Sequence, residues 1–332
     1  EDIRRDLARR RPGAGGVSTS RSEADEPEIL SGVFEGKTLG TPIAIIVRNG
    51  DPRSADYDAL KDAYRPGHAD WTWEAKYGFR DHRGGGRSSG RETISRVAAG
   101  AVARVFLAAR GIGIRAWTQA AAGFSIPGPA GFDLDEAERN PLRMPHRETA
   151  EAALAELERL RAAGDSAGGL VACRVTGLPP GLGEPVFGKL DARLASAMLS
   201  LGAAKGVEFG AGFAAAGSRG SVQNDRPLPA EAGEPGWTPP LCVPALRFAT
   251  NHAGGVLGGL STGMNLEFRV AFKPVPSIAR PQTTADRKGK PRQLEIQGRH
   301  DVCVCPRAVP VVEAMAALVL ADLLLLHRAA RV

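Results

Sequence analysis

Aromatic residues are scarce in this chain of 332 residues: Phe, Trp and Tyr make up 5% of it. Arg and Lys are dispersed rather than interleaved with rings, so no stacking platform for a nucleic acid is evident. Cysteine is sparse too. The four are Cys173, Cys242, Cys303 and Cys305, and one Cys-X-Cys pair without a second close pair is not a zinc pattern. Buried free thiols in a reducing compartment are expected instead. The opening EDIRRDLARRRPG has no apolar run of the kind a signal peptide carries. The most apolar stretch, Ala308 to Leu326, holds Glu313 and Asp322 and has Pro306 and Pro310 near its start. It reads as a buried helix rather than a membrane span. There is no internal repeat. These absences imply a soluble, cytoplasmic protein with neither nucleic acid nor membrane as partner.

What the chain does have is length and a modest positive charge. It is long enough to bury a full core. A net charge of +6 suits a field for small anionic ligands. The charge is most pointed between Arg65 and Arg91, RPGHADWTWEAKYGFRDHRGGGRSSGR. Arginines 65, 80, 83, 87 and 91, histidines 68 and 82, three consecutive glycines and two serines fall there. Arginine forks match phosphate and carboxylate. A glycine run lets backbone N–H groups close on an anion. Histidine is the side chain whose charge changes near neutral pH.

The apolar periodicities predict a mixed fold. Helices are expected over 1–11, 91–110, 148–163, 189–201 and 311–327, with Ile94, Val97, Ala98, Ala101, Val105 and Ala108 recurring at helical spacing in the second. Strands are expected over 112–126, 170–176, 206–213 and 265–272, and a strand pair with a turn over 28–49. The order lacks a strict βαβ rhythm, which favours an α+β architecture with antiparallel sheets. Residues 226–246, RPLPAEAGEPGWTPPLCVPAL, read as a Pro/Gly-rich loop.

Four further segments stand out. RRRPG (9–13) is a helix end with cations at its C-terminal dipole, or an anion site. NHAGGVLGGLSTG (251–263) demands tight turns or close backbone approach to a ligand. KPVPS (273–277) follows a strand, so Lys273 is either a phosphate ligand or a strand end. GRHDVC (298–303) combines both charge signs with a proton acceptor, which also describes a surface ion pair.

Taken together, these segments resemble the chorismate synthase family, with EILSGVFEGKTLGTPIAIIVRN (28–49), GLGEPVF (181–187) and GRHDVCVCPRAVPVVEAM (298–315) matching in family order. The resemblance implies one domain over 1–332 with a β-α-β sandwich, helices packed between antiparallel sheets. It implies a lyase that eliminates phosphate and the C6 proton, 1,4-anti, from 5-enolpyruvylshikimate 3-phosphate to give chorismate. Reduced FMN is required without net redox change, and NADPH is a possible reductant. The family forms homotetramers. The implied catalytic residues are His68, a proton donor beside the flavin, Asp301, a proton relay through flavin N5, and Ser89, in the hydrogen-bond network. Substrate would be held by Arg10, Arg11, Arg91 and Arg299, with Arg10 also implied for NADP. FMN would meet Arg87, Ser88, Ser89, Gly202, Ala203, Gly258, Lys273, Pro274, Val275, Pro276, Ser277 and Arg299. No metal is implied.

The chain also departs from the family pattern. A GESHG-type motif, whose histidine protonates the leaving phosphate, is expected ahead of residue 1 and is not in this sequence. His252 is the one substitute considered for it. Val275 and Pro276 replace hydroxyl-bearing residues, and Pro276 also removes a backbone donor. These departures suit an alternative reading, a catalytically silent FMN- or anion-binding homologue.

Overall fold

The computed structural model describes residues 1–12, 24–50, 60–83, 86–128, 132–230, 244–296 and 300–330. In chain order the elements are α1 (Asp2–Arg10), β1 (Pro27–Ile29), β2 (Val33–Phe34), β3 (Lys37–Thr38), β4 (Ile45–Val47), α2 (Asp70–Tyr77), α3 (Thr93–Ala108), β5 (Gly113–Ala121) and β6 (Phe124–Ser125). Then follow α4 (Glu136–Arg139), α5 (Arg147–Ala162), β7 (Gly169–Thr176), α6 (Leu190–Leu199), β8 (Ala204–Phe209), α7 (Gly220–Gln223), β9 (Pro227–Pro229) and β10 (Leu246–Phe248). The last are β11 (Val256–Leu257), β12 (Leu260–Ser261), β13 (Leu266–Phe272), β14 (Gln282–Ala285), β15 (Pro291–Leu294) and α8 (Cys305–Ala329). One sheet has five strands in the order β6-β5-β7-β13-β8, and the other five are two-stranded. The pairs β1–β4, β2–β3, β5–β6, β9–β10, β11–β12 and β14–β15 are antiparallel. The fold is α+β, as the sequence pattern implied.

The chain forms two compact units. The first comprises Glu1–Ala98, Trp117–Leu170 and Phe272–Val311; the second comprises Ala99–Ala116, Val171–Ala271 and Val312–Val332. In the first, Leu7 of α1, Leu142, Met144 and Leu157 are fully buried. In the second, Leu107, Leu190, Leu194, Met198, Leu266 and Leu320 are fully buried. Each such side chain contributes about 1.5–3 kcal/mol of apolar burial. Gly100 of α3 lies so close to Ala314 of α8 that a Cβ on it would collide with that residue.

Several boundaries differ from the sequence expectation, each for a local reason. The 112–126 strand breaks at Ala122-Gly123, both at positive φ, into β5 and β6. In 28–49 the tight turn falls at Glu35-Gly36, again at positive φ, so Lys37–Thr38 is strand rather than turn. The expected strand 206–213 is β8, ending at Phe209; a 3₁₀ turn then runs over Gly212–Gly217. On α3 the buried stripe turns toward Leu107, leaving Val105 and Ala108 exposed. Helix α8 starts at Cys305 and continues through Pro310. That proline lies just past the first turn, where one backbone bond is lost rather than a ladder. The ends of the 226–246 stretch pair as β9 and β10, so Pro227–Pro229 is strand; residues 231–243, with Cys242, lie outside the described residues.

The alternation expected in β13 is complete, with Leu266, Phe268, Val270 and Phe272 all buried. Helix α8 is long and apolar enough to cross a membrane, yet Val309, Val312, Ala316, Ala317, Leu320 and Leu323 are fully buried within the protein. Cys173, Cys303 and Cys305 are buried free thiols.

Candidate active site

Arg10 occupies the last turn of α1, three residues after the buried Leu7 and therefore on the same inward face. It is 3% exposed and fully engaged. Its Nε donates to Thr93 Oγ1 at 2.9 Å, its Nη1 to Asp25 Oδ2 at 3.2 Å and its Nη2 to the Gly90 carbonyl at 3.0 Å. Arg91 reaches the same carboxylate, Nη1 to Asp25 Oδ1 at 3.4 Å. Ser89 is the N-cap of the 3₁₀ turn Gly90–Glu92 that leads into α3, and its hydroxyl accepts the Arg91 N–H at 3.3 Å.

On the far side of Arg10, the Arg307 Nε donates to the Arg10 carbonyl at 3.2 Å, and the Arg307 Nη1 to Asp301 Oδ2 at 2.7 Å. Three guanidinium groups are thus gathered about two carboxylates, Asp25 and Asp301. The Arg10 pKa is lowered to about 10, chiefly by burial and then by the Arg307 charge, with Asp25 opposing both. Arg11, the α1 C-cap, has a buried Nε with no hydrogen-bond partner among the described residues. A buried orphan donor is costly until an anion completes it. Arg9 is spent elsewhere, on Glu138 at 2.7 Å.

His68 lies in the turn that leads into α2, where its N–H donates to the Arg65 carbonyl at 3.2 Å. The turn is organised by Asp70, 4% exposed. Asp70 accepts the Arg65 N–H at 3.0 Å and the Arg65 guanidinium at 2.8 and 2.7 Å. The His68 Nδ1 lies 2.9 Å from Asp70 Oδ1 but is not aligned for a good hydrogen bond, so the contact is mainly electrostatic. Burial alone would raise the Asp70 pKa. The hydrogen bonds and charge of Arg65, with the close approach of His68, reverse this and hold the carboxyl far below the usual range. Arg80 braces the turn from behind through the carbonyls of Leu60 at 2.6 Å and Ala63 at 2.9 Å.

The KPVPS segment packs on the His68 turn. The Lys273 Nζ donates to the Gly67 carbonyl, and a Cβ on Gly67 would sit 3.3 Å from Pro276. Residues 164–169, GDSAGG, then join KPVPS to the Asp301 segment. The Ser166 hydroxyl donates to the Val275 carbonyl at 2.7 Å, and the Ala167 N–H to the Val302 carbonyl at 2.9 Å. Asp165 pairs with Arg280 at 2.9 Å. A Cβ on Gly168 would collide with the Phe272 carbonyl, and one on Gly169 with that of Ala120. In the first unit, an unbroken series of contacts therefore leads from His68 through Lys273–Ser277, Ser166 and Asp301 to Arg10, Ser89 and Arg91.

Arg87 is exposed, Ser88 half-buried and Ser277 buried. A cation, hydroxyls and a lysine placed by its backbone contact are residue types that fit the phosphate and ribityl end of a flavin nucleotide. Pro274 is exposed. Arg299 lies outside the described residues, as do two of the three consecutive glycines, 84 and 85.

Gly202, Ala203 and Gly258 belong to the second unit. Ala203 has φ +69° just before β8, and Gly258 at φ +61° starts the turn between β11 and β12. The 251–255 loop of that unit is held by Asp225, which accepts from Thr250 Oγ1 at 2.6 Å, the His252 N–H at 2.8 Å and the Ala253 N–H at 2.9 Å.

Sequence reasoning passed over Asp25, Asp70, Thr93, Ser166, Asp225 and Arg307, all of which shape these segments. A lone Asp, Ser or Thr in a loop carries no periodic signal. Asp70 had the best one, at the start of a helix two residues after a histidine.

Fold and site together define an α+β enzyme that gathers guanidinium groups around two aspartates, with a histidine joined to them through a series of contacts. The chorismate synthase family profile matches residues 1–325. A chorismate synthase of Syntrophobacter fumaroxidans is 55% identical over 98% of this chain and 87% of its own length. One of Chloroflexus aggregans is 54% identical over 100% and 87%. A solved structure, "Crystal Structure of Chorismate Synthase", superposes with a TM-score of 0.72 at 32% identity, covering 98% of this chain and 82% of that one. The chain belongs to the chorismate synthase family, lyases of the shikimate pathway that convert 5-enolpyruvylshikimate 3-phosphate into chorismate.

Proposed function

We propose that this chain performs its family's phosphate elimination with the residues of the first unit in stated roles, using reduced FMN. The observation that carries the assignment is the group of Arg10, Arg91 and Arg307 around Asp25 and Asp301, with the next residue of the chain, Arg11, holding a buried Nε that has no hydrogen-bond partner among the described residues. Such a site gathers positive charge where it is largely shielded from water, an arrangement that stabilises a phosphate leaving with its electron pair. Arg11 and Arg91 touch the substrate, with Arg299 beside them. Arg10, turned inward, acts through its charge and by holding the Gly90–Thr93 turn; that inward position also argues against direct NADP contact through its side chain.

Reduced flavin, where these residues hold it, would supply electron density to the allylic system and a base for the C6 proton. His68 holds a proton next to it, oriented from Nδ1 by Asp70. Asp301 moves a proton at its carboxylate, and Ser89 keeps the Arg91 backbone in place. Arg87, Ser88, Ser89 and Lys273–Ser277 grip the cofactor; Gly202, Ala203 and Gly258 are separate candidate contacts to it. The whole chain acts as one domain in a cytoplasmic homotetramer.

The test is phosphate release from 5-enolpyruvylshikimate 3-phosphate under anaerobic conditions with reduced FMN. Release that depends on the reduced cofactor is expected; none would overturn the assignment. The missing hydroxyls of Val275 and Pro276 favour a second reading, a silent flavin- or anion-binding homologue. Flavin uptake with substrate present but no phosphate release would select it.

A further inference from the structure

We propose that Arg307 is a positioning residue for the acid–base step, fixing Asp301 against the end of α1; the idea rests on the role given to Asp301 above. Arg307 stands in the first turn of α8, where the helix dipole disfavours a cation. Helix stability therefore does not explain an arginine there, and its partners do. One guanidinium spans two targets, Asp301 Oδ2 at 2.7 Å and the Arg10 carbonyl at 3.2 Å. The side chains of Arg307 and Asp301 are 20% and 13% exposed, so the pair is largely shielded from competing water.

The consequences are geometric and electrostatic. Tying down Oδ2 fixes the plane of the carboxylate, and with it the direction in which Asp301 gives or takes a proton. The carbonyl of Arg10 is among the last of α1, left without a partner inside the helix, and Arg307 satisfies it. The same cation raises the local positive charge felt by Arg10. Arg307 thus joins the proton-moving carboxylate to the cationic group facing the departing phosphate. Lysine would keep the charge but cannot span both targets with a planar fork.

The experiment compares R307K, R307M, D301N and the double variant D301N/R307M in the full chain. Turnover is read by phosphate release with reduced FMN. Affinity of the flavin-free protein for 5-enolpyruvylshikimate 3-phosphate is read by calorimetry. R307M is expected to lose about 10²-fold in kcat, the scale of a misplaced catalytic group. The double variant should be no slower than D301N alone. R307K should lose about tenfold in kcat with substrate affinity unchanged, and it carries the comparison if R307M fails to fold. Additive losses in the double variant, an affinity loss in R307K as large as its kcat loss, or a wild-type kcat in either variant would overturn the proposal. Failure of the underlying reading looks different: a wild-type protein that releases no phosphate, or D301N at wild-type rate, removes the premise and this inference with it.

Discussion

At the scale of single residues, Asp70 makes the His68 turn possible, and its chemistry can be read by pH. Its folded-state pKa is depressed, so the folded chain binds this proton less readily than the unfolded one. The stability it contributes is complete above the ordinary carboxylate value near ~3.9 and drains as pH falls below it. Melting temperature should therefore drop more steeply below about pH 4 in the wild type than in Asp70→Asn. The substitution itself should cost about 3–5 kcal/mol at neutral pH, because Arg65 is left buried without its partner. Parallel melting curves for the two proteins would contradict this. His68→Ala should lower turnover by about 10²–10⁴-fold, as for a general acid or base. A wild-type rate in that variant would take His68 out of the mechanism.

At the scale of elements, Gly168→Ala is the informative change. The new methyl would meet backbone, the Phe272 carbonyl, which cannot swing away as a side chain would. A loss of about 1–3 kcal/mol is expected from the forced shift. Flavin titration should show weaker uptake as Lys273–Ser277 moves, whereas Gly111→Ala, far from that segment in sequence, should leave uptake unchanged. Unaltered uptake in Gly168→Ala would mean that the segment does not place the cofactor grip. The elements also show what a sequence makes legible. The periods of β13, α3 and α5 come from burying one face, so the apolar pattern states them. The segment 164–169 has no period; its meaning lies in backbone approaches between residues far apart in the chain. His146 is similar: without a motif match in the sequence, it proves to be the N-cap of α5, its Nδ1 accepting the Thr149 N–H at 3.2 Å. The family motifs marked Ser89, Arg91 and Asp301, but the acids that balance the arginines, Asp25 and Asp70, were silent because ion pairs leave no spacing rule.

At the scale of the whole molecule, the net charge of +6 favours approach of an anionic substrate. Val186, Phe187 and Phe213 of the second unit are exposed, Phe187 by 96%, as large apolar side chains awaiting an interface often are. Light scattering should report a particle of four times the 34.8 kDa chain, and Phe187→Asp should shift it to smaller species. A monomeric wild type at micromolar concentration would refute the tetramer. The stretch 164–169 carries one last implication. A heritable change there would be felt twice, once at the Lys273–Ser277 segment and once beside the acid at 301. Anyone wishing to retune one without the other must therefore leave this stretch alone and work from the opposite flank of each.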